Sequence, residues 1–495
     1  MERSSQSGIT TLLVIAFMGI FMLIMGTITS YAFEEARYGR ALLGREQALH
    51  VAEAGLEYYR WFLAHNPGNL QNGTGVAGPY AYTVKDPETS ATIGTASIAV
   101  AGNTQCGQIQ SIDITSTGSA SASPGFPRTL LARYMRTSVA AYSYVLNSSV
   151  WAGSSLSITG NYFSNGGVRM DGTNNSYVQS ALSTWDCTSS YGCSPEQTTA
   201  PGVVGSGSGS ALWQYPISSI DFTGMNTNLA NLKTYAQNNG GLYFAPASGS
   251  TTQRGYHLIF NSGGTVTVKQ VTSTIALPSF TATHGWALPG YDSFGYPAEY
   301  SIINSETAGT TYTIPSACSL IFVDDRAWVE GTVKGKVTVV SATPSDVSTT
   351  PDAYIPNNIT YATGDGTSGL TLIAEGGILI PLTSPATMTI HGIFVAVGGA
   401  FERPFYTNDP SYGCPYDVSC VSASYPPYVT RTQLTVEGSI ISNLRTGTQW
   451  VDGSNNFVSG YQNRVTSYDE LQATNPPPFT PSASTNYSFV LWKEQ

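Results

Sequence analysis

The chain has 495 residues, 41% of them hydrophobic and only 11% charged, with 31 acidic residues against 21 lysines and arginines and a formal net charge of −10. That much apolar material excludes a disordered stalk and is ample for a large core or two smaller ones. No run of basic residues occurs, so the electrostatic footprint of nucleic-acid binding is missing and DNA is not an expected partner.

The first predicted element is a helix. Ile9 through Ala32 is almost wholly apolar, and no charge stands between Arg3 and Glu34, which is enough to cross a ~30 Å hydrocarbon core at ~1.5 Å per residue. Beyond it, Ala41, Leu42, Ala48, Val51, Ala52, Gly55, Leu56, Tyr59 and Phe62 recur at helical spacing, with Glu34, Glu35, Arg37, Arg45, Glu46, Glu53 and Glu57 between them. The helix therefore continues past the membrane and ends near Ala64, where Asn66-Pro67-Gly68 supplies a stop. A rod of ~55 residues is ~80 Å long. Its second half requires a surface to cover it.

This bipartite helix resembles the N-terminal spine of type IV pilins and pseudopilins, and most closely that of PilX-type minor pilins, whose spine carries an Ala-rich stretch like Ala48-Leu-His-Val-Ala52-Glu53-Ala54-Gly55-Leu56. The resemblance implies a leader over residues 1–8, cut by prepilin peptidase between Gly8 and Ile9, and a spine over 9–65. It also implies insertion in the inner membrane by a single helix, export of the remainder to the pilus or cell surface, and other pilins and minor pilins as partners. The plain alternative is an uncleaved signal anchor with a helical stalk. Two departures favour that alternative: the leader has only Arg3 as a basic residue, with Ser7 before Gly8, and Leu13 stands where such proteins usually carry a glutamate. In this family the glutamate is thought to pair with the terminal amine of the neighbouring subunit nearer the tip, so Leu13 implies a subunit that needs no neighbour above it.

Residues 66–150 alternate like strands at Tyr80–Val84, Thr95–Ala101, Gln108–Thr117, Thr129–Ser138 and Ala141–Leu146. An antiparallel sheet here would cover the amphipathic half of the helix. From 151 to 445 the texture changes to short strands broken by glycine, such as Leu156–Gly160, Leu320–Val323, Lys336–Val340, Leu370–Ala374, Met388–Ala396 and Leu434–Ile441. Hydrophobic-x-hydrophobic-x-Gly repeats suit a parallel β-solenoid; since exact periodicity is missing, a β-sandwich remains open. One helical interruption is expected over Asn226–Gln237, stopped by Asn238-Asn-Gly-Gly241. The order of segments resembles the exported domain of a ComZ-like group of minor pilins, in which a β-solenoid interrupts the pilin sheet and a C-terminal segment, here 446–495, returns to finish it. The expected fold class is α+β: a long transmembrane spine helix packed on an antiparallel sheet, with a large all-β, β-solenoid-like domain.

Six cysteines fit an oxidising compartment. Cys187 and Cys193, like Cys414 and Cys420, each enclose a five-residue loop that could close on itself. Fifteen pairings are allowed, and these two are chosen by proximity, leaving Cys106 and Cys318 to pair with each other or stay free. Zinc is disfavoured because neither spacing is that of a zinc knuckle and no histidine stands beside either pair; no metal and no cofactor is expected. Asp324-Asp325-Arg326 could serve as an acid/base cluster, though a charged turn explains it equally well. The histidines at 50, 65, 257, 284 and 391 stand alone, and Asp171-Gly-Thr-Asn174 and Asp365-Gly366 are only fragments of calcium loops. No catalytic residue is assigned and no enzymatic activity is expected. The sequence reads as a minor pilin at or near a filament tip, displaying a β-rich domain for assembly priming or surface contact. The alternatives are an adhesin or ligand-binding module that uses its 30 tyrosines on a surface ligand, and DNA capture, which rests on the resemblance alone.

Overall fold

A single helix, α1 (Gln6–His65), opens the chain. The computed structural model describes residues 6–495 apart from 251–252, 279–297, 347–348, 413, 415–419, 453 and 455, and these fall into two compact units. Unit 1 comprises residues 1–103, 111–135 and 489–495, and unit 2 comprises 104–110 and 136–488. The backbone thus passes from one unit to the other four times.

Unit 1 joins the second half of α1 to strands β1 (Tyr80–Lys85), β2 (Thr92–Gln105), β3 (Gln108–Ala120) and β4 (Arg128–Ser138), and the C-terminal strand Ser482–Glu494 completes the sheet at its edge beside β4. The β1–β2 and β3–β4 pairs are antiparallel. Alternate residues of each strand face the helix: Ala96 and Ile98 on β2, Ile112 and Ile114 on β3, Leu130, Ala132 and Tyr134 on β4. Against them α1 sets Val51, Ala52, Leu56, Tyr59, Phe62 and Leu63, a helical-period stripe that is almost completely buried.

Unit 2 is β-solenoid-like: short strands pair in parallel, coil upon coil, along three sides. On the first side ten strands lie side by side in the order Leu242–Phe244, Leu320–Val323, Lys336–Ser341, Gly369–Ala374, Thr387–Ala396, Thr430–Ser442, Tyr142–Leu146, Asn161–Ser164, Val178–Ser180 and Trp213–Gln214. This is not chain order. The chain enters the stack in its middle at Tyr142, works outward to Gln214, and resumes at the opposite end with Leu242. It then works back until Ile440 pairs with Tyr144. A seam is formed there, where Phe457–Ser467 pairs on one side with Thr430–Ser442 and on the other with Leu156–Thr159. An amide ladder crosses it: Asn147 donates to Asn443 and Asn165 donates to Asn147, both at 2.6 Å.

Both faces of the central strands of the first side are buried, which is why Leu320–Val323 is a continuous apolar run and every residue of Gly369–Ala374 is buried without alternation. Ile321, Val323, Leu372 and Phe394 fill the coil interior. Phe322, Val340, Ile373, Val395, Ile441, Val145 and Phe163 face outward and pack with Leu229, Leu232 and Ala236. Those three belong to the helical interruption, which begins earlier than the sequence suggests and is split at Asn228 into α2 (Phe222–Thr227) and α3 (Leu229–Asn238).

The helix–sheet contact of unit 1 depends on missing side chains. A Cβ on Gly118 would lie 2.1 Å from the Ala48 carbonyl oxygen and 2.4 Å from the Ala52 nitrogen, a clash of backbone on backbone that no rotamer can relieve. Gly118→Val should therefore force α1 off the sheet and cost about 1–3 kcal/mol, lowering the urea midpoint of the detergent-solubilised chain; an unchanged midpoint would contradict this packing.

Candidate functional site

The chemistry-bearing feature of unit 1 is α1, whose two halves differ in every respect but helicity. From Gly8 onward an 18-residue window reaches a mean hydropathy of 2.5, and none of that window is buried. Ile9, Leu12, Phe17, Phe21 and Leu23 are each more than 60% exposed, and Leu13 is 52% exposed. Gly8 has open space around it and lies two residues inside the start of the described helix. Residues 1–5 of the expected leader lie outside the described residues.

In the second half, small residues set the distance. Ala48 and Ala52 are fully buried, and a Cβ on Gly55 would lie 2.4 Å from Ser116 Oγ and 2.7 Å from the Ala96 Cβ. Leu56 is also fully buried, whereas Ala54 is half-buried and Glu53 turns its carboxylate outward to His50 Nδ1 at 3.1 Å. The Ala-Glu-Ala-Gly-Leu stretch thus places Gly55 and Leu56 on the sheet and Glu53 on the rim. Tyr59, buried at the far end of this stripe, donates to the Asn69 carbonyl at 3.2 Å, and burial pushes its phenol up to about 12. Where the buried half gives way to the exposed half, a groove of about 330 Å³ opens between Tyr38, Ala41, Leu42 and Arg45 of α1 and the turn Gly125–Arg128.

Among the described residues, those that suggested other chemistry are engaged in structure. Asp324, Asp325 and Arg326 form a corner between two sides of the solenoid and are buried, unlike an ordinary charged turn. Lys233 Nζ lies 2.6 Å from Asp324, which also accepts from the Tyr243 hydroxyl at 2.8 Å. Arg254 lies 3.0 Å from Asp325, and the Arg326 guanidinium sits 5.0 Å above the Trp328 ring and donates to the Tyr354 hydroxyl. Asp171 takes hydrogen bonds from Trp151, Arg169 and Ser206, and Asp365 takes them from Thr367; both are turns. His257 lies between Glu306 at 2.8 Å and Glu330 at 3.2 Å, and although burial opposes it, these two carboxylates raise its pKa. His391 lies 3.3 Å from Glu437, His65 meets the Trp61 carbonyl, and His284 lies outside the described residues. Among the described residues no three His, Cys, Asp or Glu side chains come together as a metal site.

All six cysteines are bonded. Cys187–Cys193 and Cys414–Cys420 close the two short loops, and Cys106–Cys318 joins residues 212 apart in sequence. Cys106 lies at the tip of the β2–β3 hairpin, in the short segment 104–110 that belongs to unit 2.

No family model matches the chain, and no curated protein matches it. Among solved structures it is similar to the competence-associated pilin ComZ from Thermus thermophilus, at 13% identity and a TM-score of 0.25, over 91% of this chain and 97% of that one. A TM-score at that level is too low for the likeness to bear on what this chain does.

One partly buried acid allows a pH test. Asp352 accepts from the Gly377 amide at 2.6 Å and faces Arg326, and its partial burial raises its pKa from 3.8 to about 6. Folding therefore favours the protonated form: no cost arises below pH 4, a cost develops between pH 4 and 6, and it is constant above that. Asp352→Asn keeps the acceptor and removes the charge, so its melting temperature relative to the parent should rise across pH 4 to 6 and then level off. A difference that is flat or falls across that window would contradict the assignment.

Proposed function

We propose that this chain is a minor pilin of a type IV pilus or related pseudopilus. It is held in the inner membrane by the first half of α1 and later drawn into the filament through that same segment. The observation that carries this reading is the division of one unbroken helix: the second half is sealed onto an antiparallel sheet through Ala52, Gly55 and Leu56, while residues 8 to 33 expose an apolar surface with nothing of the described chain against it. A lipid bilayer satisfies such a surface, and so does a bundle of like helices. Other pilins and minor pilins are the partners of this helix, and prepilin peptidase acts on it between Gly8 and Ile9. The β-solenoid-like unit is the part displayed outside the cell, for priming assembly or for contact with a surface, and it carries no catalytic role.

Cleavage is the direct test. Mass spectrometry of the chain from a piliated strain should find the mature protein beginning at Ile9; a chain beginning at Met1 would leave the uncleaved anchor with a stalk.

Leu13 supports a place at the filament tip, since an apolar residue there makes no demand for an amine from a subunit above. Leu13→Glu would place a carboxylate in an apolar environment with no partner, at a cost on the order of several kcal/mol unless it stays protonated. Incorporation into filaments should fall, and gold-labelled wild-type protein should lie at filament ends. Labelling along the shaft, or undiminished incorporation of Leu13→Glu, would assign the subunit to ordinary filament positions.

A further inference from the structure

Among the described residues, the ranks that fill the coil interior of the solenoid-like unit are mainly apolar. Reading across the stack in register, one interior rank runs Met388, Leu434, Arg464, Leu156. Met388, Leu434 and Leu156 are buried as expected of a coil interior, and a guanidinium occupies the fourth place. Its Nη2 donates to Ser155 Oγ and to Gln449 Oε1, both at 2.9 Å. Its Nε is completely buried and has no hydrogen-bond partner. Burial disfavours its charge, and among the described residues the ionisable groups that act on it are the hydroxyls of Tyr144 and Tyr162. Among the described residues no carboxylate pairs with it.

The arginine has room because a strand is missing. In this coil the second side is reduced to one bridge between Glu402 and Gly447, after which the chain leaves in the antiparallel hairpin of Gln449–Val451 and Phe457–Ser467. The volume that side chains of a full strand would fill remains as a cavity of about 30 Å³, lined by Arg464 with Tyr144, Tyr162, Leu156, Leu434 and Gly447. A water there would satisfy an N–H but not the charge, and a guanidinium held partly out of water with no counter-charge beside it is disfavoured. The cavity is too small for sulfate, phosphate or a carboxylic acid of any length, and a single halide fills it.

We propose that Arg464 and the cavity beside it form a binding site for one monovalent halide, chloride under ordinary conditions, which neutralises the guanidinium and holds the coil that comes last in the chain against the coil that comes first. The ion binds only when Phe457–Ser467 and Leu156–Thr159 are paired, so it stabilises the closed seam by mass action. The site is independent of any role of α1.

The full-length chain in detergent micelles tests it, with chloride replaced at constant ionic strength by gluconate, which is too large to enter. Chloride and bromide should each raise the melting temperature saturably, by on the order of 2 °C, and Arg464→Met, which keeps the volume of the side chain, should abolish the response. Should Arg464→Met fail to fold, wild-type crystals grown in bromide decide the matter, with an anomalous peak expected beside Nε. Equal melting temperatures in chloride and gluconate, a response that persists in Arg464→Met, or a cavity without an anomalous peak would each overturn the site.

Discussion

Close approach of α1 to the sheet, through residues too small to hold it away, is the constraint on which the rest of unit 1 depends. Ala48, Ala52 and Gly55 meet Ala96, Ser116 and Gly118 at distances that admit no additional carbon. Contacts of that kind fix both the register and the rotation of a helix, because any shift by one residue would bring a larger side chain against backbone. The outcome is that the stripe from Val51 to Leu63 is committed to the sheet and the helix before Ala48 is left to find its partners elsewhere. Polar residues from Glu34 to Glu57 mark the transition, and Glu53, facing outward beside His50, shows that the rim of the packed half is solvated.

Unit 2 solves a different problem with the same means. The central strands of its first side are buried on both faces, filled inward by the coil interior and covered outward by a second apolar cluster that includes α3. The charged groups at Asp324, Asp325 and Arg326 are assembled with Lys233 and Arg254 into a closed set, which removes them as candidates for chemistry. Stacking resumes across the seam because Tyr142–Leu146 presents the same parallel edge and the same asparagine at its end as the coils on either side.

Much of this was legible in the sequence where local pattern decides the structure. The apolar run from Ile9, the helical spacing through Phe62 and the stop at Asn66-Pro67 specify α1 without tertiary information, and the runs at Leu320 and Leu370 report strands buried on both faces. The two short cysteine loops were readable from proximity. What was not legible is what depends on distant pairing. Cys106 and Cys318 meet only because a hairpin tip at 104–110 belongs to unit 2, and the order of coils is set by the pairing of Ile440 with Tyr144 across almost 300 residues of chain. Coil lengths vary because excursions such as the antiparallel pair Thr184–Cys187 and Gln197–Pro201 leave the stack, and this erases the period that would have announced it. Burial of Asp324 and Asp325 was hidden for a similar reason: their cationic partners, Lys233 and Arg254, lie far away in sequence. Arg464 stood unnoticed in Gln462-Asn463-Arg464-Val465, a stretch whose polarity reads as surface.

The central claim is that the exposed half of α1 is buried among other helices of a filament once it has left the membrane. Placing a photo-crosslinking phenylalanine analogue at Phe21, which is 63% exposed in the isolated chain, tests it most directly. In sheared filaments the account predicts adducts between this chain and other pilin subunits. Absence of the chain from the filament fraction, with adducts to lipid alone in the membrane fraction, would contradict it.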